Sequence, residues 1–286
     1  MKKILVLGIA ALSLFLSACN IFPFSLFTTA PATTLPVTQN GTITYLDADY
    51  YAYPYYSSPN YHLDNVDAYN DVLLATRDHI RHANVRVQAT IYRTTMIFPG
   101  ITQTVIDSSS SGSGVVFLER DGYYYFLTNH HVIDDGGEDA EYQVEAYGDE
   151  DPVSAELICQ SEDLDLAVLR FAKGSRTDVE LINMTTRLFT RFTPGELVLA
   201  VGNPLSVDNN VTFGEFNSME LIANATFRVV YHSALIHEGS SGGALVDLDG
   251  NLIGINAWGT ESSDEESFAI PLAVVHMFLV NNDLIS

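Results

Sequence analysis

Residues 239–257 read Gly-Ser-Ser-Gly-Gly-Ala-Leu-Val-Asp-Leu-Asp-Gly-Asn-Leu-Ile-Gly-Ile-Asn-Ala. Two short apolar runs, Ala244 to Leu248 and Leu252 to Ala257, flank Asp249-Gly250, a tight-hairpin signal. The first run is fed by a glycine-rich turn around two serines. Working outward, Leu197 to Val201 and Phe227 to Tyr231 are further short apolar strands. Val115 to Leu118 and Tyr123 to Leu127 flank Asp121-Gly122, a second hairpin signal. Many short strands with turn residues between them predict an all-β barrel or sandwich. One helix is expected, from Val66 to about His82, where Val66, Tyr69, Leu73 and Ile80 lie near helical spacing and Asp64 or Asn65 can cap it.

The 286 residues are 47% hydrophobic and 17% charged, enough apolar material for a packed core. Thirteen Lys and Arg against 36 Asp and Glu give a net charge of −23, which repels polyanions and excludes nucleic acid as a partner. Two cysteines, Cys19 and Cys159, make neither a disulfide framework nor a cysteine-rich zinc site. Cys159 reads as a small buried apolar residue, because no helix start or basic neighbour lowers its pKa. His79 and His82 lie three apart on the expected helix without a nearby third ligand and read as surface histidines. Asp134 to Asp151 holds nine carboxylates and no Lys or Arg, and reads as a solvated acidic loop. No metal and no cofactor is expected.

At the start, Met1-Lys2-Lys3 is a basic segment and Ile4 to Phe15 an apolar one too short to span a bilayer. Leu16-Ser17-Ala18-Cys19 follows and resembles a bacterial lipobox. The resemblance implies cleavage after Ala18, acylation of Cys19, and a membrane-anchored protein on the extracytoplasmic side. Residues 1–18 are then the signal peptide, 19–65 a Thr-, Pro- and Tyr-rich tether, and 66–286 the folded domain. Tyr50, Tyr51, Tyr53, Tyr55 and Tyr56 read either as linker or as rings that pack on a neighbouring subunit.

Three motifs carry chemistry. Thr128-Asn129-His130-His131-Val132-Ile133 follows a strand. Asp163-Leu164-Asp165 runs into the apolar stretch Leu166 to Leu169. Gly239 to Leu245 holds Ser240 and Ser241. A serine hydroxyl is a weak nucleophile and needs a base within reach, a task that suits imidazole. A carboxylate on the other ring nitrogen fixes the tautomer and stabilises the imidazolium. Glycines let backbone N–H groups approach a substrate carbonyl, with Gly239 and Ser241 the expected oxyanion donors. The order His, Asp, Ser is that of the chymotrypsin type.

With these residues in view, the chain resembles a trypsin-like serine protease, specifically the HtrA/Deg branch, from about Ser111 to Pro271. Ser111-Gly112-Ser113-Gly114-Val115, the histidine and aspartate motifs, Val201-Gly202-Asn203-Pro204, the serine motif with Leu252 to Asn256, and Phe268-Ala269-Ile270-Pro271 match family segments in order. The resemblance implies a trypsin-like double β-barrel preceded by a short helix, and a serine endopeptidase. It assigns His131 as base, with His130 a neighbour, Asp165 as orienting carboxylate over Asp163, and Ser241 as nucleophile over Ser240. It places Leu235 and Ile236 at the pocket floor, where no carboxylate would hold Lys or Arg, so apolar side chains are expected there. It places Ala257, Trp258 and Gly259 on the strand that pairs with substrate backbone. Ser240 stands where digestive enzymes carry the aspartate that pairs with a clipped N-terminus, so activation by clipping is not expected. Ser286 follows soon after Pro271, and no PDZ domain is expected.

The substrates implied are exported or misfolded proteins and peptides, in quality control or processing, and a homotrimer is the candidate assembly. Two rival functions are a catalytically silent peptide-binding lipoprotein of the same fold and, from the tyrosine-rich tether alone, a surface adhesin.

Overall fold

The computed structural model describes residues 47–60, 65–133, 139–203, 209–222, 225–259 and 266–286. The expectations for the signal, Cys19, the Thr/Pro-rich stretch, Pro204 and the acidic residues 134–138 lie outside them. Among the described residues the chain runs α1 (Asp47–Ala52), α2 (Val66–Ala83), β1 (Asn84–Phe98), β2 (Ile101–Arg120), β3 (Tyr123–Thr128), α3 (His130–Ile133), β4 (Asp139–Ala146), β5 (Val153–Ser161) and β6 (Leu166–Ala172). It continues through β7 (Leu197–Gly202), β8 (Asn210–Leu221), β9 (Arg228–His232), β10 (Ala244–Asp247), β11 (Leu252–Gly259), β12 (Ser267–Pro271) and α4 (Leu272–Asn281).

The strands close into two antiparallel six-stranded barrels, ordered β1-β2-β3-β6-β5-β4 and β10-β11-β12-β9-β8-β7. This is the double barrel expected from the sequence. The expected helix is α2, and its cap is Asn65, whose side chain accepts from the Asp67 amide at 2.9 Å.

Several strands bury both faces, which explains their unbroken apolar runs. Val116, Phe126 and Leu169 fill the first barrel, and Val198, Phe216, Leu245 and Ile253 fill the second. Their neighbours Val115, Leu127 and Val168 point the other way, into a seam shared with Leu199, Val201, Ile255 and Phe268 of the second barrel. Ile80 and Ala83 of α2 and Val275, Phe278 and Leu279 of α4 extend the same seam. The period-two alternation thus presses the barrels together along this seam.

Two expectations change. The tyrosine cluster is not a loose linker. From Asp47 to Asn60 it lies on the second barrel: Tyr50 is buried against Phe192, and its hydroxyl accepts from the Phe192 amide at 3.1 Å. Tyr56 donates to Asp249 at 2.9 Å, and Tyr55 forms a bridge with Arg191. Rings supply the burial that aliphatic periodicity would otherwise have signalled. The second change concerns the acidic stretch, part of which is strand β4. Ala140, Tyr142, Val144 and Ala146 alternate with polar residues, and Val144 and Ala146 are buried. Asp149 beyond it pairs with Arg176 at 2.8 Å.

Candidate active site

His131 sits on α3, the single turn that follows β3. Its Nδ1–H donates to the Asp165 carboxylate at 2.9 and 3.0 Å, and its backbone N–H reaches the same carboxylate at 3.0 Å. Asp165 therefore holds both the ring and the main chain of the histidine. A carboxylate so placed fixes the tautomer that leaves Nε2 as acceptor. Asp165 is only 15% exposed and His131 41%, so the supporting acid is sheltered and the ring edge is open to a substrate.

Asp165 occupies the left-handed region, φ +52°, where its N–H closes a turn onto Glu162 at 3.0 Å just before β6. Non-glycine residues adopt this conformation rarely, and aspartate is among the most tolerant. Buried Asn129 donates to the Asp165 carbonyl at 3.0 Å and ties the two motifs together. Asp163 is exposed two residues away and is not joined to His131.

Ser241 sits between β9 and β10 of the second barrel, in a turn where Gly242 has φ +87°. A side chain at Gly242 would collide with the Ser113 carbonyl and with Thr128. A Cβ at Gly112 would fall 2.7 Å from Val132 and 3.0 Å from the Ser241 carbonyl. These contacts place the Ser241 turn against the histidine motif across the seam. The Ser241 hydroxyl donates to the Ala257 carbonyl at 3.2 Å, and no hydrogen bond joins Ser241 to His131. Ser240 is buried, with its hydroxyl accepting from the His237 amide at 3.3 Å, away from the cleft chemistry. Among the described residues no acceptor is paired with the N–H groups of Gly239 or Ser241, so both remain available to an oxyanion.

The site contains a hub that motif reading did not single out. Ser113 of β2 donates its hydroxyl to the Gly239 carbonyl at 2.7 Å and its N–H to the Ser241 carbonyl at 2.8 Å. The same hydroxyl accepts from the Asn203 N–H at 2.8 Å and Nδ2 at 3.3 Å. The signal was present in Ser111-Gly112-Ser113-Gly114 and Val201-Gly202-Asn203, but only as family resemblance. Neither stretch says by itself that the two meet.

Leu235 and Ile236 are half-buried beside the turn, and the Leu235 carbonyl accepts from Thr212 at 2.8 Å. Ile236 lies against Gly259, where an added Cβ would sit 3.2 Å from it. Ala257 is buried and Trp258 half-buried against the seam core. Of the floor and wall residues named from the sequence, Ala257 touches Ser241, and Ile236 meets the wall at Gly259. Cys159 lies on β5 of the first barrel, and burial pushes its thiol up to about 11. His79 pairs with Glu180, and His82 with the Asp178 carbonyl, so the two histidines have separate partners.

A family model described as a trypsin-like peptidase domain matches residues 112–255. The chain is 36% identical over 174 residues to the serine protease Do-like HtrA of Bacillus subtilis (strain 168), covering 57% of this chain and 37% of that protein. It is 32% identical over 134 residues to the serine protease HTRA1 of Xenopus tropicalis, covering 45% and 28%. The chain therefore spans well under half the length of these relatives. Among solved structures, a serine endoprotease from Yersinia pestis aligns with TM-score 0.55 and 28% identity over 75% of this chain and 66% of that one. An HtrA-type protease with a decapeptide aligns with TM-score 0.57 and 26% identity over 74% and 66%. The HtrA/Deg resemblance drawn from the motifs agrees with all four.

Proposed function

Because the chain belongs to the trypsin-like peptidase family, we propose that it is a serine endopeptidase acting through Ser241, His131 and Asp165. The observation that carries the reading is the double hold of Asp165 on His131 beside a serine in a glycine turn with two unpaired N–H groups. In the proposed reaction the Ser241 hydroxyl turns from Ala257 to His131 and attacks the scissile carbonyl as Nε2 takes its proton. The N–H groups of Gly239 and Ser241 hold the oxyanion. The tetrahedral intermediate collapses, the C–N bond breaks, and the imidazolium gives its proton to the leaving amine. Water, deprotonated by His131, then releases the acyl group from Ser241.

The pocket floor of Leu235 and Ile236 supports a preference for apolar side chains before the cut, since a Lys or Arg there would lose hydration without an ion partner. The lipobox supports export, processing before Cys19 and attachment to the extracytoplasmic face of a bacterial membrane, with exported or misfolded proteins as substrates. Tyr51 and Tyr55, exposed beside Arg191, are the aromatic surface that a homotrimer would use.

The second reading, a catalytically silent peptide-binding protein, draws on one observation: the Ser241 hydroxyl is engaged with Ala257. A serine-directed fluorophosphonate probe separates the two. Labelling and casein cleavage by the wild type, both lost in Ser241→Ala, support the peptidase. An unlabelled, inert wild type supports the binder.

A further inference from the structure

Strands β1 and β2 run on beyond the first barrel as a hairpin that turns at Pro99-Gly100. From Thr94 to Ile106 it carries no Asp, Glu, Lys or Arg, in a protein of net charge −23. Met96 is 70% exposed, Phe98 65%, Ile101 53% and Ile97 49%. Behind these apolar residues stands a collar of two paired rungs, Thr95 with Gln103 and Thr94 with Thr104, polar but uncharged, with the hydroxyls of Thr94 and Thr104 hydrogen-bonded at 3.0 Å, while Thr102 pairs with Met96 and the exposed Val105 and Ile106 lie beyond the collar. Charge returns with the ion pair of Arg93 and Asp107.

We propose that this tip enters the interfacial region of a lipid bilayer, with Met96, Ile97, Phe98 and Ile101 among the acyl chains and the threonine collar at the headgroups. Three residues on β1 and two on β2 separate the turn from the paired Thr95 and Gln103, which at ~3.3 Å each is roughly 7–10 Å, within the ~5–10 Å depth of interfacial elements. Hydroxyl and amide side chains suit the wet headgroup layer, and the first charges stay outside it. A second copy fits less well, because the exposed apolar side chains of the hairpin, Val105 and Ile106 included, offer on the order of 600 Å², short of the ~800 Å² each partner gives to a stable interface. The acidic surface disfavours approach to anionic lipid, so the bilayer expected is an uncharged one. The proposal rests on attachment through Cys19 only to keep the protein beside a membrane.

The test uses the mature chain in phosphatidylcholine vesicles, with Phe98→Trp as reporter and Trp258, common to both chains, as baseline. The added emission is expected to shift to the blue and to be quenched at least twofold by lipids brominated on their acyl chains. Met96→Ser with Ile97→Ser is expected to return the reporter to baseline. Cleavage of a soluble peptide reports folding, and Ile101→Trp is the second reporter where Phe98→Trp loses that activity. A reporter that stays unquenched overturns the proposal. So does a blue shift that grows with protein concentration without vesicles, which would assign the tip to a second copy. Intact mass reads the acyl group on Cys19 separately. Where it is missing, the same quenching is read with vesicles in excess, so failure of the anchor and failure of the tip are told apart.

Discussion

The hydroxyl of Ser113, in the first barrel, donates to the carbonyl of Gly239, in the second, at 2.7 Å. Its proton direction is fixed, because the same oxygen accepts from the Asn203 N–H. The peptide that follows Gly239 is therefore held at both ends, by Ser113 on its carbonyl and by His237 on the Ser240 N–H at 2.8 Å. Ser113 N–H holds the Ser241 carbonyl as well. A first-barrel residue thus holds the two peptides on either side of the one that carries the Ser241 N–H.

Ser113→Ala is expected to lower kcat by about 10- to 100-fold, equivalent to ~1–3 kcal/mol for a buried hydrogen bond whose partners are left unpaired. KM should stay within twofold, since Ser113 lies behind the turn and away from Leu235 and Ile236. Titration of active serines distinguishes positioning from folding. An unchanged titratable fraction with slower turnover per site is the expected result, and a reduced fraction with normal turnover would contradict it.

His131, Asp165 and Ser241 are expected to behave as a unit, so pairs of substitutions should lose little more than single ones. Asp165→Asn should slow acylation by about 10⁴-fold through the wrong tautomer. Asp163→Asn should cost far less, because Asp163 is exposed and not joined to His131. Single-turnover acylation of an activated ester compares the two variants directly.

The order of the three motifs and the alternation of the seam strands were readable because each is local: a residue type at a fixed distance from a turn, or a period of two. The long hairpin was not. Ser108 to Ser111 and the threonines before them have no buried face, so no alternation marks them as strand, though they pair with β1 throughout. The Asp249-Gly250 turn misled in detail. Asp247 and Asn251 close it, leaving three residues between them instead of two, because the Asp247 carboxylate captures the N–H groups of Asp249 and Asn251. Helix α4 escaped notice because Leu272 to Leu279 is apolar on nearly every side and has no amphipathic period. Ser113 meets Gly239 across 126 positions, a distance that no motif spans.

His232 on β9 is fully buried, and burial pushes its pKa down to about 3. The sign follows from proton counting. Below the ordinary value near 6.5 the unfolded chain binds a proton that the folded chain does not, so stability falls as pH falls from about 6.5 towards 3. Between pH 6.5 and 5 this contributes about 2 kcal/mol of loss. His232→Leu should lose less stability than the wild type over that interval, whatever its stability at pH 7. Urea midpoints at the two pH values measure the difference, and parallel losses in both chains would exclude His232 as the source.

Arg187 carries the last prediction. It is fully buried, with Nη1 2.9 Å from Asp247 and 2.5 Å from Glu196, and its guanidinium lies over the rings of Tyr56 and Phe192. Asp247 belongs to β10, the strand entered from the Ser241 turn, and Tyr56 belongs to the segment laid on the second barrel. The cation thus joins the tyrosine cluster to the strand entered from the Ser241 turn. Arg187→Ala leaves two sheltered carboxylates without their cation and should destabilise the protein by about 3–5 kcal/mol. Tyr56→Phe removes only the hydrogen bond to Asp249 and should cost about 1 kcal/mol. Both changes should speed proteolysis between residues 47 and 60, Arg187→Ala by far the more, because Tyr56 then loses the face it stacks on. Urea denaturation gives the first quantity and limited proteolysis the second. A stability within 1 kcal/mol of wild type for Arg187→Ala would show that the carboxylates find other partners and that the cation is not what holds the segment down.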